Sequence, residues 1–456
     1  MTSRDEAAAA PKDAGFPAGI PFIVGNEGAE RFSYYGMRAI LYMYLAALYV
    51  QFVAESLVTK ADADAAKAKS TAVAHLFMAG VYAFPMIGAI LADRLLGKYP
   101  VILLVSLIYC AGHAVLAVAG RLAEMGNYSG GEMGMYIGLA LIAVGSGGIK
   151  PCVSANVGDQ FTASTSHLVT KVFQAFYFII NFGSFFSTMI TPWLYSAYGA
   201  EVAFGVPGIF MAIATFIFWL GRDRFVRVPP NPGGIVGFLD FSVALLLFSP
   251  VIAIIVAVFV QGDHYQAPDP ATMSKAQFYG EYLTGYTSHL AATSWHYFLI
   301  SAVLVVVGFG LFGMRQARQR DDGFLAVLVY AIKNRQKRKE GQGFFDVARD
   351  EFGDEAAEGP PAVLRIVTVF SMVMFFWALF DQHASTWVQQ AKEMNRVVTV
   401  PLWVGRFVVA GTVAGALYGG TWLMLWVSNK TIPPIVPRIF FGLLVAVGLA
   451  AIGMDV

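Results

Sequence analysis

The residues best suited to chemistry lie in one stretch, Glu27-Gly28-Ala29-Glu30-Arg31-Phe32-Ser33-Tyr34-Tyr35-Gly36-Met37-Arg38. It falls inside an apolar window, where each ionised group costs at least about 2.5–3.5 kcal/mol to insert, so such groups pair with one another and line a pathway. With Glu27 as zero and about 100° per residue, Glu30 falls at about −60°, Arg31 at about +40°, Tyr34 at about −20° and Arg38 at about +20°. The acids, the arginines and a tyrosine hydroxyl therefore share one helix face. An interfacial helix start, whose first turn favours acids, accounts for Glu27 but not for Arg38 well inside the window.

Other apolar windows hold single polar groups. His75 and Tyr82 lie about two helical turns apart on one face. A lone membrane histidine is either a packed neutral residue or, with an unperturbed pKa of about 6.5, a proton carrier. Lys150 follows Gly145-Ser146-Gly147-Gly148-Ile149 and precedes Pro151. The glycines allow close backbone approach and the proline removes a helical hydrogen bond. The depth of Lys150 in its window favours an inward role over snorkelling to the headgroups. Asn181 suits an interhelical hydrogen bond and a substrate contact equally. Asp381, within Phe376-Trp377-Ala378-Leu379-Phe380-Asp381-Gln382-His383, is a carboxylate near the outer half of its window. Glu27, Glu30 and Asp381 balance Arg31, Arg38 and Lys150 in charge. Moving a cation away from such a carboxylate changes its affinity for a proton, which is how proton binding couples to a conformational switch.

Composition dictates the elements that position these groups. The chain has 456 residues, 57% hydrophobic and 13% charged, with a net charge of +1 and a mean hydropathy of +0.61. A soluble domain carries about 25% charged residues, so the chain reads as an all-α polytopic membrane protein. It has no basic excess to suggest nucleic acid as a partner. Cys110 and Cys152 offer neither a disulfide framework nor a metal site, and no nucleophile elbow or nucleotide loop points to an enzyme.

Windows of roughly 20 apolar residues, enough to cross about 30 Å of hydrocarbon, fall near 21–50, 71–92, 100–120, 133–155, 171–195, 202–221, 234–260, 294–314, 363–389, 403–428 and 436–454. The polar tail before the first lacks the pattern of a cleaved signal peptide. Arg94, Lys98, Arg222, Arg224, Arg227 and the loop from Arg315 to Arg365 concentrate positive charge on one side, which places the N-terminus in the cytoplasm. The loop, with its basic run Lys333 to Lys339 and acidic run Asp350 to Glu358, reads as a solvated linker.

Residues 88–98, Gly88-Ala89-Ile90-Leu91-Ala92-Asp93-Arg94-Leu95-Leu96-Gly97-Lys98, resemble the loop between the second and third helices of the major facilitator superfamily. More specifically, Glu27 to Gly36 resembles the E-x-x-E-R-F-x-Y-Y-G motif of the proton-coupled oligopeptide transporter family. Gly148-Ile149-Lys150-Pro151 with Gly158-Asp159-Gln160-Phe161, residues 176–184 and residues 376–382 resemble that family's further motifs in order. The resemblance implies a major facilitator fold. Its parts would be a cytoplasmic tail (1–20), a six-helix N-terminal bundle (21–228), an inserted helix pair (229–314), a cytoplasmic linker (315–362) and a partial C-terminal bundle (363–456). It also implies symport of protons with di- and tripeptides across the cytoplasmic membrane, driven by the proton gradient without a cofactor. Glu27, Glu30, His75 and Asp381 would couple protons; Arg31, Tyr34, Tyr82, Lys150 and Asn181 would bind substrate; Arg38 and Asp381 would form a gating salt bridge; and Gly88, Asp93, Arg94, Gly97 and Lys98 would carry the loop motif.

Residues 403–456 depart from the family pattern, and setting aside the inserted pair leaves about nine windows against about twelve in the family core. The chain is therefore expected to be a C-terminally incomplete copy. A major facilitator transporter of nitrate, a drug or a sugar conjugate, or a non-transporting partial copy, are the alternative readings.

Overall fold

The computed structural model describes residues 16–52, 59–269, 272–319, 322–339 and 341–394, with isolated positions at 404, 411, 415 and 419. The windows 403–428 and 436–454 lie outside this set apart from those positions. Residues Met1–Val388 form one compact unit and Gln389–Val456 another. All regular elements among the described residues are helical.

The chain opens with α1 (Ile20–Val50), α2 (Lys60–Leu91), a π-helical turn (Ala92–Leu96), α3 (Lys98–Glu124), α4 (Tyr128–Asp159) and α5 (Val169–Leu220). Their starts are written locally. Pro21 occupies the first turn of α1, where its missing N–H would have no partner anyway. At α2, the Asp62 carboxylate accepts the Thr59 backbone N–H at 2.8 Å and the Thr59 hydroxyl accepts the Asp62 N–H at 3.2 Å, a reciprocal cap. Asn127 caps α4 by accepting the Gly130 N–H at 3.0 Å.

The windows 171–195 and 202–221 are the two limbs of α5. Gly199, at φ 82°, breaks the helical path between them, and the freed N–H of Ala200 donates to Glu124 Oε1 at 2.6 Å. Between helices, small residues set the spacing. A Cβ on Gly88 would lie 2.6 Å from Gly148 Cα, and one on Gly183 would lie 2.6 Å from the Gly28 carbonyl oxygen. Such seams are how apolar helices associate where hydrocarbon provides no hydrophobic drive.

Residues 234–318 form α6 (Gly234–Leu247), α7 (Ser249–Gln261), α8 (Lys275–Thr293) and α9 (Trp295–Arg318). The helices α6 and α7 are bent by 41° within what read as one window. Helix α8 lies outside every apolar window because of its polar residues, and the Ser274–Gln277 capping box starts it.

The linker carries helices and a small apolar cluster of its own. It contains α10 (Phe324–Lys333) and α11 (Arg349–Phe352), and Val327, Ala331, Phe345, Ala348 and Ala357 bury one another. Arg349 binds Asp346 at 2.9 Å, Asp354 at 2.8 Å and Glu358 at 3.2 Å. The hydrogen bond from Arg349, with another from the Gly343 N–H, holds the Asp346 carboxyl below the usual carboxylate range.

The next helix, α12 (Asp354–Phe380), starts at Gly353, φ 84°, with acids in its first turn, earlier than hydropathy alone places it. It leads through a tight turn (Asp381–Ala384) into α13 (Thr386–Glu393). Six described helices are long and apolar enough to cross a membrane, or seven counting the bent pair as one span.

Candidate functional site

The polar face of α1 lies inside the helix packing because Gly28 and Gly183 let α1 and α5 touch backbone to backbone. Glu27 and Glu30 are 1% and 0% exposed. Arg31 stands between them, its Nε 2.6 Å from Glu27 Oε1 and 3.2 Å from Glu30 Oε2. Neither Glu30 oxygen has a well-formed hydrogen bond among the described residues, so the Glu30 charge state depends on where the neighbouring cations sit.

Lys150 reaches this cluster from α4. Its ammonium lies 4.5 Å from the centre of the Tyr34 ring and 5.4 Å from that of Tyr82, a cation held by aromatic faces. Among the described residues no carboxylate lies within 4.0 Å of it. The Tyr34 hydroxyl donates to Met78 Sδ at 3.4 Å. The cluster thus combines an anion-ready ammonium with buried carboxylates, and can receive a molecule that bears both charges.

A second group lies about two turns along α1. Arg38 Nη2 is 2.7 Å from Asp381 Oδ1, with both side chains largely buried. The pair lines a small cavity with His75 and Ser385, and His75 Nε2 shares a hydrogen bond with Ser385 Oγ at 2.9 Å. Tyr82, on the same face of α2 as His75, places its ring 6.2 Å from that of Trp377 on α12. The end of α12 and the turn that follows it therefore meet α1 and α2 through an ion pair at Asp381, a hydrogen bond at Ser385 and a ring contact at Trp377.

Asn181 stands apart from both groups. It is exposed, and its amide donates to the Tyr177 carbonyl one turn back on α5 at 2.8 Å. Of the loop-motif residues, Gly88 belongs to the seam between α2 and α4. Gly97, at φ 86°, ends the π-helical turn, and Lys98 binds Asp159 at 2.7 Å. The Asp93 carbonyl accepts the Asn231 N–H at 2.9 Å, and Arg94 lies 3.7 Å from Asp240 on α6.

Sequence reasoning missed the group behind Glu30. His113 of α3 is fully buried, shares a 2.8 Å hydrogen bond with Ser33 Oγ, and stacks on Tyr109 at 5.2 Å. The available signal was a histidine one turn after a tyrosine in an otherwise apolar window.

The sequence model of the POT family matches residues 99–259 and 336–449. Human solute carrier family 15 member 2 is 30% identical over 392 residues, which is 84% of this chain and 40% of that protein. The chain thus spans about two fifths of the length of that curated relative. Among solved structures, the POT family transporter PepTSo is 30% identical with a TM-score of 0.55, over 96% of this chain and 82% of that one. A proton dependent oligopeptide (POT) family transporter is also 30% identical, with a TM-score of 0.51 over 95% and 83% of the two chains. With its helical architecture of the major facilitator type and apolar helices of spanning length, the chain belongs to the POT family of membrane transporters.

Proposed function

We propose that this protein is a proton-coupled symporter of di- and tripeptides working by alternating access. The observation that carries this reading is the buried cluster in which Arg31 is ion-paired with Glu27 and Glu30 while the Lys150 ammonium stands against the Tyr34 ring of the same helix. A short peptide is a zwitterion, and its carboxylate suits Lys150 as a point charge and Arg31 as a planar, bidentate donor. Once a peptide carboxylate competes for Arg31, Glu30 loses its ion-pair partner and its proton occupancy follows the substrate. Tyr34 and Tyr82 would border the bound peptide, with Asn181 contributing from α5 in a conformation that turns the helix inward.

At the other level of α1, Arg38 and Asp381 serve as a gate that opens when His75 or Asp381 changes protonation. The proton gradient supplies the driving force, and no resident cofactor is needed. The protein would sit in the cytoplasmic membrane with its N-terminus and its linker on the positively charged, cytoplasmic side.

Uptake of a labelled dipeptide into proteoliposomes tests this. Uptake should rise with an inward acidic gradient and be competed by other dipeptides but not by nitrate. In Glu30→Gln the gradient-driven component should fall by at least about tenfold while exchange of peptide across the membrane without a gradient persists. Gradient stimulation equal to the parent's in Glu30→Gln would refute the coupling role, and saturable nitrate uptake would refute the substrate class.

A further inference from the structure

The inserted helices meet the turn after α2 at close range. The Asn231 N–H donates to the Asp93 carbonyl at 2.9 Å and the Gly233 N–H to the Arg94 carbonyl at 3.2 Å. Gly237 approaches the same Arg94 carbonyl so closely that no side chain would fit there. One turn further on, Asp240 stands between two arginines from different parts of the chain. Arg315, at the end of α9, donates to it through Nε at 2.5 Å and Nη2 at 3.2 Å. Arg94 approaches from the turn, with Nη1 3.7 Å from Asp240 Oδ2.

These contacts differ in kind. The Arg315 side chain is 2% exposed and its fork is bidentate on the carboxylate, the geometry that makes such pairs strong. Arg94 is 38% exposed and its contact is long, so it is weak and open to solvent screening. Around Arg315 the grip is reinforced, since Phe312 of α9, Val243 of α6 and Ala326 of α10 pack together. Asp240 thus belongs firmly to the inserted helices and the linker that follows them, and holds the turn after α2 through a contact that can be made and broken.

We propose that Asp240 is a positioning residue for the transport cycle. It makes the inserted helices a latch on the Ala92–Leu96 turn, engaged in the conformation in which Arg38 and Asp381 are paired, and released at Arg94 when the conformation changes. The latch rests on the transport reading for its consequence but not for its existence, so the two are tested separately.

Hydrogen exchange of the Asn231 and Gly233 amides reports the latch without any substrate. In the purified full chain, Asp240→Asn and Arg94→Gln should each speed exchange at both amides by about threefold, and the double variant should add nothing further. Arg94→Gln leaves the Asp240–Arg315 pair intact, so it answers the question even if Asp240→Asn folds poorly. In proteoliposomes, each variant should lower the maximal uptake rate by about threefold with KM within about twofold of the parent, because binding is untouched while the return through the latched state slows. Unchanged exchange in Arg94→Gln, or additive effects in the double variant, would overturn the latch. Absence of peptide uptake by the parent would overturn the transport reading instead, and the exchange experiment would still decide the latch.

Discussion

The helices α1 and α12 invert the rule that holds in water. Along α1, Glu27, Glu30 and Arg38 are buried. Along α12, none of the most apolar window is buried, and Phe370, Met372 and Phe375 are more than half exposed. In a soluble protein the first arrangement would be costly and the second would aggregate. In hydrocarbon both are stable, because an apolar face is at home against lipid or another apolar helix, whereas an ionised face needs partners. The difference separates two kinds of information. Charge inside the packing marks the functional surface, and hydrophobicity outside it marks only the solvent.

Three substitutions test this contrast, read as changes in thermal unfolding of the detergent-purified protein. Arg38→Ala leaves the Asp381 carboxylate without the cation 2.7 Å away and should cost about 3–5 kcal/mol, most of it recovered when Asp381→Ala is added. A single variant as stable as the parent would show that this pair is not a buried one in the energetic sense. Gly88→Val should cost about 1–3 kcal/mol by overpacking, since its new Cβ would meet Gly148 Cα at 2.6 Å. Loss well below that range would mean that the α2–α4 seam yields. Phe370→Ala, at a position 63% exposed, should stay within about 0.5 kcal/mol of the parent. A loss matching that of Gly88→Val would mean the α12 face is covered and the contrast with α1 false.

Much of the site was legible because it is local. The acids and arginines of α1 share a face by helical geometry alone, and the same periodicity put His75 and Tyr82 together. The partners of these residues were not legible from spacing. Ser385 meets His75 across 310 positions of sequence, and Asp240 meets Arg315 across 75. Pairing at that distance is decided by packing, which leaves no pattern in either segment. The break at Gly199 falls between the windows 171–195 and 202–221, so hydropathy located it, but not the Glu124 carboxylate, 76 positions away, that accepts the freed Ala200 N–H. The turn of Asn181 toward its own helix was hidden for a similar reason, since a polar residue in an apolar helix can bond back to its own carbonyls as well as outward.

The backbone seam at Gly88 and Gly148 gives the protein an internal ruler. With no side chains between them to change rotamer, α2 and α4 can separate only by breaking contact outright, so a pair of spectroscopic probes on these helices should hold a constant separation throughout the proposed transport cycle. Against that fixed length, movement of the α12 turn that carries Asp381 can be calibrated in ångströms.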